Sequence, residues 1–231
     1  MSFNFQEGEI FLINKPFKWT SFDVVNSLRG FLRSGLGIKK MKIGHTGTLD
    51  PLATGLLILC SGKFTKQIEQ FKDLDKEYTG TITLGATTPS FDLETAVDNS
   101  FPCDHITEEA IHAVSVAFTG TQDQIPPAYS AVKIDGKRAY DYARLDQEVT
   151  IKSKEITITA FEVTAIRMPH VDFRIVCSKG TYIRALARDF GKALNCGAHL
   201  TSLCRTRIGQ YHLRDAWELD GLKKALLEGI S

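Results

Sequence analysis

Apolar and polar positions follow two periods along this chain, and the switch between them predicts its elements. Ile10-Phe11-Leu12-Ile13, from Glu9 to Asn14, is a short apolar run halted by Lys15-Pro16 and predicts a buried strand. Beyond Thr20 or Ser21, either a good N-cap, Phe22, Val24, Val25, Leu28, Phe31 and Leu32 recur at helical spacing, predicting an amphipathic helix that ends near Ser34-Gly35. Leu56 to Cys60 is unbroken and glycine-bounded, as a central strand buried on both faces should be. A helix is expected from about Lys63 to Phe71, and Tyr78 to Gly85 alternates as a half-exposed strand does. Thr87 to Phe101 is a polar, acidic loop, and Thr107 caps a helix through about Phe118. Strands follow at Ile156 to Arg167 and Val171 to Cys177, joined by a turn at Pro169-His170, then a helix from about Thr181 to Leu194. Thr201 to Cys204 reads as a short helical piece, Gly209 to Leu213 as a strand and Trp217 to Leu227 as a closing amphipathic helix. There is no internal repeat, low-complexity segment or linker, so 1–231 is expected to be a single domain.

Composition narrows this picture. A chain of 231 residues with 43% hydrophobic content can bury a substantial core. It has no apolar run of about eighteen residues and no signal-peptide pattern, which predicts a cytoplasmic protein without a membrane span. The five cysteines (60, 103, 177, 196 and 204) include no C-x-x-C pair, and Cys196 and His199 have no second pair to complete a zinc site, so neither disulfides nor a metal are expected. Net charge is only +1, but it is segregated: eight acids and no Lys or Arg fall between Glu77 and Val132, leaving 28 basic against 19 acidic residues elsewhere. That distribution allows one face to attract a polyanion.

Chemistry concentrates in Gly44-His45-Thr46-Gly47-Thr48-Leu49-Asp50-Pro51-Leu52-Ala53-Thr54-Gly55. One carboxylate, one imidazole, three hydroxyls and three glycines lie here between apolar segments. Pro51 steers Asp50 toward extended conformations, putting its carboxylate on a stiff turn; equally, Asp50 can be the N-cap of a helix opening at Pro51. Five basic residues and no acid occupy Arg29 to Lys42, as a solvated linker or as phosphate contacts. Gly62-Lys63 is not a phosphate-binding P-loop, because Phe64 stands where Ser or Thr is required. From Ile125 to Arg144 an Asp135-Gly136 hairpin signal is set among Lys133, Lys137, Arg138 and Arg144 interleaved with Tyr129, Tyr140 and Tyr142. These residues suit either RNA, through phosphate pairing and base stacking, or a plain charged helix.

The twelve-residue loop resembles the active-site motif of the TruB family of tRNA pseudouridine synthases. Further matches follow in family order: Lys15-Pro16 with Thr20-Ser21, Lys76-Glu77-Tyr78, Pro126 to Lys133, and Cys177 to Arg184. Lys18 departs from the family, which usually has Gly there.

The resemblance implies an α/β fold of the α+β type, with a mixed, largely antiparallel sheet, flanking helices and a thumb-like RNA-gripping subregion at about 125–150. It implies isomerisation of uridine to pseudouridine at position 55 in the tRNA T loop: the base is flipped, the glycosidic bond is cut and C5 is rejoined to C1′. Asp50 would be the covalent catalyst, Arg184 the cation partnering its carboxylate, and Tyr78 a stacking group able to take the C5 proton. Tyr182 would line the pocket, His45 would meet the RNA, the Leu203 backbone would touch the base edge, and Lys15 and Lys66 would bind phosphates or support the site. No cofactor or metal is needed, the partner is tRNA, and a monomer without a protein partner is expected. The chain stops too early for the family's C-terminal PUA domain. The alternatives are a non-catalytic RNA-folding or RNA-binding protein, and a glycosidase-like hydrolase pairing Asp50 with Glu77 or Asp92.

Overall fold

The structure is a computed structural model that describes residues 3–4, 7–134, 136–145, 147 and 149–229. The chain divides into two compact units, Met1–Tyr78 with Cys204–Ser231, and Thr79–Leu203.

The first unit contains β1 (Ile10–Lys15), α1 (Ser21–Gly35), β2 (Ile43–His45), β3 (Thr54–Ser61) and, after a 3-10 turn at Gly62–Gln67, α2 (Ile68–Asp73). β4 (Lys76–Leu84) starts here and continues into the second unit. That unit adds β5 (Ala86–Thr87), β6 (Asn99–Ser100), α3 (Glu108–Ala117), β7 (Gly120–Gln124), β8 (Lys133–Ile134), β9 (Lys137–Arg138), α4 (Ala139–Ala143), β10 (Lys154–Arg167), β11 (His170–Cys177) and α5 (Ile183–Ala193). β12 (Ala198–Ile208) returns to the first unit, which closes with β13 (Tyr211–His212) and α6 (Leu219–Glu228). Strand order in the first unit is β1-β3-β12, with β2 beside β3 and β13 beside β12; in the second it is β12-β4-β11-β10-β7. β1 and β2 run antiparallel to β3, whereas β12 runs parallel to it through Cys204↔Thr54 and Arg205↔Gly55. The sheet is thus mixed and mostly antiparallel, as expected.

β3 explains the first unit's core. Leu57 and Leu59 face Val24, Val25, Leu28 and Leu32 of α1 and Leu222 and Leu226 of α6, while Leu56, Ile58 and Cys60 join Phe71 and Ile208 in a second cluster. An uninterrupted apolar strand is needed because both faces are covered. In the second unit Phe161 of β10 packs edge-on against Phe173 of β11 (6.3 Å, 74°) and lies 5.4 Å from Phe190 of α5.

Three expected elements differ. Thr201 to Cys204 lies inside β12 instead of forming a helical piece: Thr201 Oγ1 donates to the Thr81 carbonyl (3.3 Å) and Ser202 Oγ to Thr81 Oγ1 (3.0 Å). Four residues of weak helix tendency cannot outweigh a sheet ladder. The helix expected at Lys63 to Phe71 divides into the 3-10 turn and α2. Of Gly209 to Leu213, only Tyr211–His212 is strand, and a 3-10 turn follows at Leu213–Asp215. β8 and β9 form the expected hairpin, although Asp135 of its turn signal lies outside the described residues.

Candidate active site

Asp50 sits on the loop between β2 and β3, and the start of the chain holds that loop from below. Ser21, the first residue of α1, grips the preceding peptide: the Leu49 N–H donates to Ser21 Oγ (2.8 Å), which in turn donates to the Leu49 carbonyl (3.3 Å). The Asp50 carbonyl accepts from the Ala53 N–H (3.1 Å), closing a turn around Pro51 and Leu52. Thr20, with Asp23, forms the α1 capping box, which leaves Ser21 free for the loop. Pro51 opens no helix, so the capping role for Asp50 falls away.

Lys15 completes the cradle. Its fully buried ammonium donates to the carbonyls of Trp19 (2.6 Å), Pro16 (3.0 Å) and Pro51 (3.4 Å). Burial lowers its pKa to about 8, with Asp50 pulling the other way and Arg205 adding to the drop. Lys15, Asp50 and Arg205 therefore form one electrostatic group. Between Lys15 and Asp50, the Lys18 N–H donates to the Pro51 carbonyl (2.9 Å), and Lys18 has φ +65°. The family's glycine is thus a left-handed position that this chain fills with a lysine.

Arg205 is also buried. Its Nε donates to the Leu56 carbonyl (2.8 Å) and its Nη2 to that of Gly47 (3.2 Å), tying β12 to both sides of the Asp50 loop. The approach is close because Gly55 has no Cβ: with φ +102°, any side chain there would overlap the Arg205 main chain. His45, the last residue of β2, is half-buried. Its pKa is lowered first by burial and then by the Arg205 charge, against a favourable Gly47 backbone contact, so the ring is neutral at pH 7.

Tyr78 is buried in β4. Its neighbour Glu77 accepts from Thr206 Oγ1 (2.8 Å) and lies 3.7 Å from Arg207 Nε, an engagement that sets it apart from a free second acid. Lys66 is exposed at the end of the 3-10 turn.

In the second unit, Arg184 is 4% exposed, which excludes a surface helix charge. It donates to the carbonyls of Ser90 (Nη1, 3.0 Å) and Tyr129 (Nη2, 2.9 Å), and its Nε lies 3.6 Å from Asp92 Oδ2, also buried. Between Ser90 and Asp92, Phe91 is held at φ +63°, covered by the Arg188 guanidinium at 4.8 Å. Strain in a non-glycine residue at this point fits a functional loop. Tyr182 precedes α5 and is fixed through its backbone by Gln124, whose Oε1 accepts from the Tyr182 N–H (2.8 Å) and whose Nε2 donates to its carbonyl (3.1 Å). Leu203 is half-buried in β12.

Within the first unit the structure thus gathers Asp50 and Lys15, and places His45 and Tyr78 on the strands β2 and β4. Tyr182 and Arg184 stand at the start of α5 in the second unit. The sequence reading missed Ser21 as a loop clamp, Arg205, Gln124, and Asp92 as the carboxylate beside Arg184. Two of these carried a faint signal: Ser21 lies beside a competing cap, and Asp92 is the first carboxylate of a long polar loop. Among the described residues no group of three or more His, Cys, Asp or Glu is placed to hold a metal ion, and no helix is long and apolar enough to cross a membrane.

The sequence itself matches a known group of RNA-modifying enzymes. Residues 33–183 match the TruB family pseudouridylate synthase N-terminal domain, and residues 184–229 match the tRNA pseudouridylate synthase B C-terminal domain. The chain belongs to the TruB family of pseudouridylate synthases. Its relatives include proteins named tRNA pseudouridine synthase B from Flavobacterium johnsoniae (54% identical over 221 residues, 95% of this chain and 96% of the relative) and Bacteroides thetaiotaomicron (51% over 225 residues, 96% and 94%). Among solved structures, the chain is similar to one in the crystal structure of a Cbf5-Nop10-Gar1 complex (27% identity, TM-score 0.71, 95% of this chain and 54% of that one). It is also similar to one in an H/ACA RNP bound to a substrate RNA containing 2′-deoxyuridine (25%, 0.69, 95% and 53%). The chain spans about half the length of these solved chains.

Proposed function

We propose that this protein isomerises uridine to pseudouridine at position 55 in the T loop of tRNA. The observation that carries the reading is the Gly44–Gly55 loop, whose Asp50 is clamped by Ser21 and Lys15, in a chain about half identical to proteins named for this activity. The reaction breaks the C1′–N1 bond, forms C1′–C5, removes the proton from C5 and returns one to N1. No redox equivalent or external group enters. Asp50 is assigned as the nucleophile toward the ribose or the base. Fixing its peptide from both sides holds the carboxylate near an attack geometry without reorganisation. Tyr78 is assigned to stack on the flipped uracil and to accept the C5 proton, and Arg184 is the third residue assigned to catalysis. Tyr182, His45, Leu203, Lys15 and Lys66 are assigned to substrate binding or its support, with Lys15 acting through the loop carbonyls it holds. The subregion 125–150 grips RNA, and Arg138 and Arg144 stacked on Tyr140 (5.7 and 5.2 Å) support this. We further propose that the protein acts on tRNA in the cytoplasm, as a monomer that needs no protein partner.

The test is incubation with unmodified tRNA transcript and mapping of pseudouridine by chemical labelling. Product is expected at the T-loop uridine, and Asp50→Asn is expected to bind tRNA without converting it. Released uracil would indicate a hydrolase, and an Asp50→Asn protein with full turnover would refute the assignment.

A further inference from the structure

The most basic stretch of the sequence, Arg29 to Lys42, forms a groove in the first unit at the C-terminal end of α1. The groove encloses about 560 Å³; Arg29, Arg33, Lys39 and Lys40 stand around it, Ile38 and Met41 add apolar surface, and no acidic residue lines it. Arg29 has a structural task, donating to the Ile43 carbonyl (3.2 Å) where β2 begins. Arg33, Lys39 and Lys40 are exposed and have no ion-pair partner among the described residues. Gly30 opens the wall: a Cβ built there meets nothing within 4 Å. Uncompensated cations around a concave, partly apolar surface suit phosphodiesters, with sugar or base faces against the apolar atoms.

We infer that this groove is a second RNA-binding site, taking the phosphate backbone of the tRNA substrate away from the uridine being isomerised. The inference rests on the tRNA reading above. It assigns substrate affinity to residues outside the catalytic loop and the 125–150 subregion. Because Arg29 ties the groove to the strand ending in His45, bound backbone is held in fixed register to the Asp50 loop.

The test compares tRNA binding and single-turnover conversion in three variants. In Arg33→Gln/Lys39→Gln/Lys40→Gln, Kd is expected to rise on the order of tenfold at physiological salt. The log–log salt slope should fall by about 2 to 3, and the conversion rate at saturating tRNA should not change. Gly30→Glu, which puts an acid into open space and improves helix propensity, should weaken binding in the same way. Lys63→Gln/Arg214→Gln/Lys224→Gln removes equal charge elsewhere in the first unit and should leave Kd within about threefold. An unchanged Kd and slope in the first triple, or an equal loss in the control, overturns the inference while conversion by the wild-type protein stands. A wild-type protein that neither binds nor converts tRNA overturns both this inference and the function it rests on.

Discussion

Ser21 and Leu49 share a reciprocal pair of hydrogen bonds, with one hydroxyl serving both polar groups of the residue before Asp50. Ser21 is buried, so removing its hydroxyl leaves an N–H and a carbonyl with poor access to water, at a cost of roughly 1–3 kcal/mol. Ser21→Ala is therefore expected to lower the unfolding free energy by that amount, seen as a lower urea midpoint at unchanged m. It should lower kcat more than it raises KM, because it loosens the peptide of Asp50, the proposed nucleophile, without touching an RNA contact. Urea unfolding with steady-state kinetics on tRNA checks both.

Lys15 predicts an unusual alkaline response. Its folded pKa of about 8 lies below the ordinary lysine value of 10.5, so between those values the unfolded chain holds more protons and stability rises with pH. The contribution is fully present above about 10.5 and is lost as pH falls through 8; its upper bound is about 3 kcal/mol. Lys15→Met lacks this response, so the stability of wild type relative to the variant should grow from pH 7 to pH 10 in paired urea titrations. The variant should also lose most activity, because the carbonyls of Pro16, Trp19 and Pro51 lose their shared donor.

Lys18 offers a gain. A lysine at φ +65° is strained by crowding between its Cβ and its own backbone, about 1–2 kcal/mol, which glycine avoids at some cost in unfolded-chain entropy. Lys18→Gly should stabilise the protein by about 0.5–1 kcal/mol, raising Tm by about 1–4 °C. Thermal unfolding measures it, and unchanged turnover would show that the turn keeps its backbone.

The elements legible in the sequence were those set by local pattern. β3 announced itself because a strand covered on both faces needs an unbroken apolar run, and α1 because its cap and apolar stripe agree. β12 was misread because its pairing partners, near Thr54 and Thr81, are more than a hundred residues away. Asp50 was legible as a dense cluster of polar groups beside Pro51. Arg205 was not: a buried arginine that donates to the main-chain carbonyls of Leu56 and Gly47 leaves no trace in its neighbours' identities. Lys18 was legible only as a departure from the family, and its φ gives that departure a physical meaning.

Asp92 makes the sharpest demand on the second unit. Its carboxylate is buried 3.6 Å from the Arg184 Nε and also accepts from the Glu94 N–H (2.9 Å), so it compensates a buried charge and shapes the loop carrying Phe91. Removing one member of a buried ion pair costs about 3–5 kcal/mol, mostly from the charge left behind. Asp92→Ala should show that loss in urea. Asp92→Asn keeps an acceptor for Glu94 and should fold closer to wild type, yet lower the single-turnover rate at least about tenfold by altering how the Arg184 charge is held. A double-mutant cycle of Asp92→Asn with Arg184→Lys should give a coupling energy of about 0.5–3 kcal/mol in both stability and rate. If the two effects simply added, Asp92 would be acting on the loop alone, and Arg184 would depend for its position on the Ser90 and Tyr129 carbonyls.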